Sequence, residues 1–388
     1  MDSKKNWQEK AQAVFSMIAF IFALTGLIVL FLISGCERIK TGSKFYTADI
    51  RAREVNSREL TTVARCDMQF TGIAISKKNR IFVNFPKWSK NVPISVAEII
   101  DGELIPYPTR KMNERENEVS FKAVQSVYID AKNRLWVLDT NNPQFTGVKP
   151  PGPILYQIDL DTNKIEHTYM FPPATYNIFS YFNDVRIDCM RNFAYITDSG
   201  SGALIVLNLT TATSRRVLAD TTPVESEKPY LDTTHGRWKN TVDSDGIALT
   251  ADGKMLYFAA LTGHTLYRIE TKYLRNFKLS DDQLLANVKT VAKIPATDGM
   301  LMDPWGNLFM GGLEDDSINL IAREQMLIRY FKDPRIQWAD SFTRDSKGNI
   351  YFTTSQIHTP AKKRGDYRIM KFNPYKIHWL TREKIRKK

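Results

Sequence analysis

Six polar residues occupy matching places in six copies of one sequence pattern: Thr71, Gln125, Asn183, Asp245, Asp298 and Asp340. The recurring pattern is a polar residue, a small residue, an apolar-x-apolar triplet, a turn rich in Asp, Asn, Gly and Lys, and an apolar-aromatic run. If the six converge, three carboxylates, two amides and a hydroxyl share one site. Crowded carboxylates cannot all ionise, so one held protonated beside the others suits general acid-base work or the capture of a cation. The competing reading is local: Asp and Asn at such places also cap turns by binding nearby backbone amides. Aromatic residues lie beside the same positions, with Tyr181 and Phe182 before Asn183, Trp238 before Asp245, Trp305 after Asp298 and Trp338 before Asp340. Tyr181, Phe182, Trp238 and Trp338, with Gln125 and Asn183, are the expected ligand-binding set, a flat ligand stacking on their rings and gaining a cation–π term if it carries an amine. Packing between repeats is the alternative use of these rings. Asp245, Asp298 and Asp340 are the expected catalytic groups. His235, in the segment YLDTTHGRWKN, joins them as a candidate acid or base because an imidazole titrates near neutrality.

The elements that must position these side chains follow from the repeat. Each copy reads as a hairpin of two short alternating strands around an Asn or Gly turn. Further strand-like runs follow, such as residues 154–159 and 203–207. The leading polar residues are 42 to 62 positions apart. Four strands per unit of that length, repeated six times, predict an all-β, six-bladed β-propeller. The first strand of every blade then lines the central channel, and equivalent residues form rings around its axis. Only a short helix near residues 280–287 competes with the strands beyond residue 60.

The chain has 388 residues and a formal charge of +12, with a dense basic run at Arg382, Lys384, Arg386, Lys387 and Lys388. No RRM, KH, zinc-finger or helix-turn-helix pattern accompanies that charge, so no nucleic-acid partner is expected. Residues 11–34 carry no charge and follow three lysines, the pattern of a signal peptide or an N-terminal anchor. Ile33-Ser34-Gly35-Cys36 resembles the lipobox of bacterial lipoproteins, which implies cleavage before Cys36 and lipid on its thiol. The expected organisation is a signal peptide or signal anchor over 1–35, a polar stalk over 36–64 and the propeller over 65–388. Both N-terminal readings put the propeller on the outer side of a bacterial membrane, in the cell envelope and facing the periplasm or exterior. Export permits a Cys66–Cys189 disulfide, and two buried free thiols fit equally.

Several chemistries lack their residues. There is no GxGxxG after a strand, no GxxxxGK[ST] and no HExxH. Gly200-Ser201-Gly202 reads as a turn between strands rather than a nucleophile elbow. The five histidines are never at metal-ligand spacing along one element.

The stretches VQSVYIDAKNRLWVLDTN, SYFNDVRID, NFAYITDSGSGALIVLNLTTATSRRVL, SDGIALTADGKMLYFAALTGHTLYRIETKYLRN and WADSFTRDSKGNIYFTTSQI, in that order and spacing, resemble the yellow/major royal jelly protein family. The resemblance implies a six-bladed, usually exported propeller that takes small ligands at its channel mouth. Among insect members these include biogenic amines, and others are linked to dopachrome conversion, which needs only a base and an acid. More distantly the pattern is similar to the gluconolactonase/regucalcin propellers. That similarity implies a divalent ion such as Ca²⁺, with Asn183, Asp245 and Asp298 as its ligands and lactone hydrolysis as its chemistry. Where those lactonases place a first-blade glutamate this chain has Thr71, and Gln125 holds the second-blade place; Asp340 could supply a third carboxylate. The function expected is small-molecule binding at the channel mouth, with or without tautomerase-like turnover. A metal-dependent lactonase and a non-catalytic interaction propeller are the alternatives.

Overall fold

The computed structural model describes residues 59–114, 120–322 and 327–374. The apolar run 11–34, Cys36, most of the expected stalk and the basic C-terminal run lie outside these residues. Among the described residues no helix is long and apolar enough to cross a membrane.

Six four-stranded antiparallel sheets form the blades, with strands given from the inside outward. Blade 1 contains Ile73–Ile75, Ile81–Asn84, Val96–Ile100 and Glu103–Pro106. Blade 2 contains Val124–Ile129, Leu135–Asp139, Ile154–Asp159 and Lys164–Met170. Blade 3 contains Phe182–Asp188, Phe193–Asp198, Ala203–Asn208 and Ser214–Val217. Blade 4 contains Ser244–Leu249, Met255–Ala260, Thr265–Glu270 and Lys289–Lys293. Blade 5 contains Met300–Met302, Leu308–Gly312, Ser317–Ile321 and Leu327–Lys332. Blade 6 contains Ala339–Arg344, Ile350–Thr354 and Tyr367–Phe372, and its outer strand is Thr61–Cys66 from the beginning of the described chain. The ring is thus closed by pairing Thr61 with Lys371 and Cys66 with Tyr367. Residues 61–64, expected at the end of the stalk, belong to that closing strand.

One local device builds the first hairpin of every blade. A side-chain oxygen at the end of the innermost strand accepts backbone N–H bonds from the turn, as Asp130 does from Lys132 and Arg134 and Asp345 from Lys347 and Asn349. Ser76, Asp188, Thr250 and Asp303 do the same in the other blades. The reversal then needs a positive φ, which Asn79, Asn133 and Asn192 supply at 57–65° and Gly253, Gly306 and Gly348 at 65–87°. These residues adopt that region at least cost, which is why Asn and Gly recur there in the sequence.

The cores lie between blades, not within them. Phe82, Val124 and Leu135 join blades 1 and 2, Trp136, Val185 and Ile196 join blades 2 and 3, and Val206, Ile247 and Phe258 join blades 3 and 4. Leu266 and Met310, then Phe309 and Phe352, then Ile73 and Ile369 continue the series around to blade 1. A hairpin formed by Tyr230–Thr233 and Gly236–Lys239 stands in the connection from blade 3 to blade 4. It packs Leu231 and Trp238 on Leu261, Leu313 and Trp338. Residues 280–287 contain the short helix expected, Asp281–Leu285, started by a capping box between Ser280 and Gln283. Cys66 and Cys189 are free, half-buried thiols on blades 6 and 3.

Candidate functional site

All six leading polar residues sit at the entry of the innermost strands. They form one hydrogen-bonded and electrostatic ring. Thr71 donates to the Gln125 carbonyl (3.3 Å), Gln125 Nε2 to Asn183 Oδ1 (3.1 Å), and Asn183 Nδ2 to Asp245 Oδ2 (2.6 Å). Asp245 is in turn coupled to Asp298 and Asp340. Strand irregularities aim the ring. In blades 2, 3, 4 and 6 the pairing register slips at Gln125, at Asn183 and Asp184, at Asp245 and Gly246, and at Asp340 and Ser341. A bulge presents consecutive side chains to the same space.

In blades 4 and 5 the residue after the ring member is glycine because the neighbouring blade presses there. A Cβ on Gly246 would meet the Asp298 carbonyl oxygen at 2.5 Å, and one on Gly299 the Asp340 carbonyl oxygen at 1.8 Å. In blade 3 that place holds Asp184. Its carboxylate accepts from Ser126 Oγ (2.9 Å) and pairs with Arg186 Nη2 (3.2 Å). Arg186 reaches across the channel to the Met300 carbonyl of blade 5 (2.9 Å) and lies over the Tyr128 ring. Asp184 and Arg186 were not among the expected site residues, although a carboxylate in place of the repeat's small residue was visible in the sequence.

The site is dominated by buried carboxyl groups. Asp245, Asp298 and Asp340 are 2%, 8% and 5% exposed. Burial pushes Asp245 well above the usual carboxylate range, with the Asp184 and Asp340 charges adding to it. Burial does the same to Asp298, reinforced by Asp340 and Asp245, although the Trp338 indole N–H bond to Asp298 Oδ2 (2.7 Å) acts in the opposite sense. Asp340 is pushed up to about 7, again chiefly by burial.

Aromatic residues flank the ring on two sides. On one, the Tyr181 hydroxyl donates to Gln125 Oε1 (2.8 Å) and accepts from the Trp88 indole N–H (2.7 Å). Phe145 stacks between Tyr181 and Trp88, with centroids 4.9 and 6.2 Å away, and remains 62% exposed. Trp88 and Phe145 come from loops far from any repeat position, and nothing in the repeat pointed to them. On the other side Trp338 is buried against Trp238 at 4.8 Å and against His358 at 5.4 Å. Trp338 therefore holds Asp298 with its edge and gives no free face to a ligand; Trp238 is half-buried on the hairpin. Phe182 corrects the expectation for it. It is fully buried, edge-on to Phe171 in the core between blades 2 and 3, because its side chain points away from the ring that Asn183 faces. Trp305 lies in the hairpin turn at the other end of its innermost strand, under Arg344.

His235 is not in the carboxylate ring. It occupies the tip of the extra hairpin, with Nε2 3.7 Å from Asp316 Oδ2 and its ring 4.6 Å from that of His358. Burial pushes His358 down to about 4, with His235 and Arg364 adding to the effect. His235 and His358, which share no element in the sequence, are thus brought together by two loops, with Asp316 on a third.

Residues 122–381 match the profile described as "Major royal jelly protein". The chain belongs to the major royal jelly protein family. The matched span begins at the entry to blade 2, so the family is recognised on blades 2 to 6. Among curated relatives, "Protein yellow" of Drosophila guanche is 26% identical over 290 residues, covering 63% of this chain and 50% of the relative. "Protein yellow" of Drosophila melanogaster is 23% identical over 288 residues, covering 63% and 53%. The chain spans about half the length of these royal-jelly-family relatives. Among solved structures a gluconolactonase from Xanthomonas campestris superposes with a TM-score of 0.53 at 13% identity, covering 87% of this chain and 99% of that one. At that identity the likeness is one of fold, a β-propeller.

Proposed function

We propose that this propeller binds a small organic cation, an aromatic amine in the simplest case, at its channel mouth. The observation that carries the reading is the surplus of buried carboxyls. Among the described residues, Asp245, Asp298 and Asp340 are shifted by burial and by one another, with no Lys or Arg in the balance. The ring's Arg186 is committed to Asp184 and Met300. An ammonium group entering the ring would let a second carboxyl ionise beside it, while Phe145 and Tyr181 offer faces for an aromatic body. The family relationship supports the choice of mouth over any other surface.

Turnover of a tautomerase kind would use the same groups. Asp340, near 7, exchanges a proton readily at neutral pH, and Asp245 or Asp298 in its neutral form would return one to the substrate. His235 would not take part, since Trp338 stands between its cluster and Asp298. The divalent-ion alternative at Asn183, Asp245 and Asp298 has less support from the ring. Asn183 turns its amide nitrogen, not its oxygen, to Asp245, and an indole N–H already occupies Asp298 Oδ2. Thr71 replaces the first-blade glutamate of the lactonases with a hydroxyl that binds backbone. The export and tethering read from residues 11–36 belong to the same proposal: the propeller works outside the cytoplasm, held by an anchor or by lipid on Cys36.

Isothermal titration with tryptamine and dopamine, beside indole-3-propionate, tests the reading. Binding of the amines but not the acid is expected, weakened more than tenfold when Asp245, Asp298 and Asp340 are all changed to Asn. Equal binding of amine and acid, or no loss in the triple variant, overturns it. Calcium or manganese bound through Asn183 would restore the lactonase alternative.

A further inference from the structure

We propose that His235, Asp316 and His358 form a binding site for a divalent transition metal of the zinc type, separate from the carboxylate ring. The three residues come from three loops at the mouth. His235 is at the hairpin tip, Asp316 lies between the second and third strands of blade 5, and His358 between the second and third strands of blade 6. One donor atom from each lies within 4.8 Å of the others. Tetrahedral zinc, with bonds of about 2.0–2.2 Å, needs donors roughly 3.3–3.5 Å apart, and His235 Nε2 is already 3.7 Å from Asp316 Oδ2. His235 is the most exposed of the three, with 32% of its side chain accessible.

The second observation is unmet hydrogen-bonding capacity aimed at this point. His358 is 7% exposed and neither of its ring nitrogens has a partner in the protein; Asp316 is 6% exposed and its Oδ1 has none. Two bare imidazole nitrogens and a bare carboxylate oxygen are costly to bury. A metal takes up one ring nitrogen of His358 and one carboxylate oxygen of Asp316, leaving the other imidazole nitrogen as an N–H. The surroundings are those of a supported ligand set. Thr234 Oγ1 donates to the other carboxylate oxygen, Asp316 Oδ2 (2.6 Å), and Trp338 stacks on the His358 ring at an interplanar angle of 14°. Such outer contacts orient ligands in metal sites. Two imidazoles with a carboxylate select zinc, copper, nickel or iron over calcium and magnesium, which prefer all-oxygen shells. Three protein ligands beside a solvent-exposed edge leave a position for water or a ligand atom, as in zinc sites that act on bound molecules. The same bond set would fasten the hairpin to blades 5 and 6.

The test is titration of the full chain, stripped with EDTA and desalted, first with Zn²⁺ by calorimetry and then with Co²⁺ by visible absorption. One equivalent is expected, with cobalt d–d bands and no thiolate charge-transfer band. His235→Asn, an exposed change that spares the core, and His358→Ala should each weaken zinc by at least about 100-fold, the upper cost of losing even an outer-shell partner. The Asp245→Asn, Asp298→Asn, Asp340→Asn triple variant should bind zinc as the parent does. Failure of the parent to bind, unchanged binding in His235→Asn, a thiolate band, or loss confined to the triple variant would each overturn the assignment.

Discussion

Changing Asp340 to Asn should stabilise the protein at neutral and alkaline pH. In the folded chain Asp340 keeps its proton up to about pH 7, whereas the ordinary carboxyl value is 3.8. Between those limits the folded state binds more protons than the unfolded state, so stability falls as pH rises from about 4 to about 7. Above that window the full cost of holding a buried carboxylate is present. Roughly three pH units at about 1.4 kcal/mol each set an upper figure of about 4 kcal/mol, and Asn removes the charge while keeping the shape. Urea unfolding at pH 5, 7 and 8.5 checks this. The parent should weaken steadily over the series. The variant should follow a flatter line, above the parent at pH 8.5 by up to about 4 kcal/mol, because only Asp245 and Asp298 remain to lose protons. Parallel pH profiles, or a variant less stable than the parent at pH 8.5, would refute the account of the ring as crowded, desolvated charge. A gain in stability paired with weaker amine binding would show that the ring is kept for its ligand rather than for the fold.

The inter-blade contacts yield two more expectations. Gly299→Ala would drive a Cβ to 1.8 Å from the Asp340 carbonyl, and Gly246→Ala to 2.5 Å from that of Asp298, so both should destabilise by about 2 kcal/mol or more, Gly299 the more severely, on denaturant curves. Gly102→Ala, at a turn with open space around it, should cost only the strain of its positive φ, on the order of 1 kcal/mol. Removing residues 1–66 deletes the outer strand of blade 6 and should lower the unfolding midpoint with a broadened transition, read by circular dichroism; an unchanged midpoint would mean that strand contributes nothing to closure.

The sequence was most legible where one physical rule acts six times. The Asn and Gly turns, the alternating apolar runs and the polar residue at each strand entry mark the blades, so the ring from Thr71 to Asp340 could be read before any coordinate. Less legible was whatever depends on a single blade. Asp184 faces the channel because a bulge turns consecutive side chains the same way, and alternation alone would send Asn183 and Asp184 to opposite faces. That alternation, had it been applied to Phe182, would have placed it in the core. His358 and Asp316 meet His235 only because Leu231 and Trp238 dock the hairpin on blades 4 to 6, a long-range contact with no period to betray it. Phe145 stands at the mouth through two successive positive-φ residues, Gln144 and Phe145, which composition does not announce.

The closing strand also sets a timetable. Thr61–Cys66 leaves the ribosome early, but the strand it pairs with, Tyr367–Phe372, is made roughly 300 residues later. At about 5–20 residues per second that interval is on the order of 15–60 s. During it, blades 1 to 5 can assemble on one another while the first strand stays unzipped and blade 6 lacks its edge. A chain that folds as it is made, or as it emerges on export, would pass through an open stage whose two raw ends are each other's proper partners. In a crowded compartment the same ends could join between neighbouring chains, so slow synthesis or a stall before residue 367 would favour exchanged dimers over closed rings.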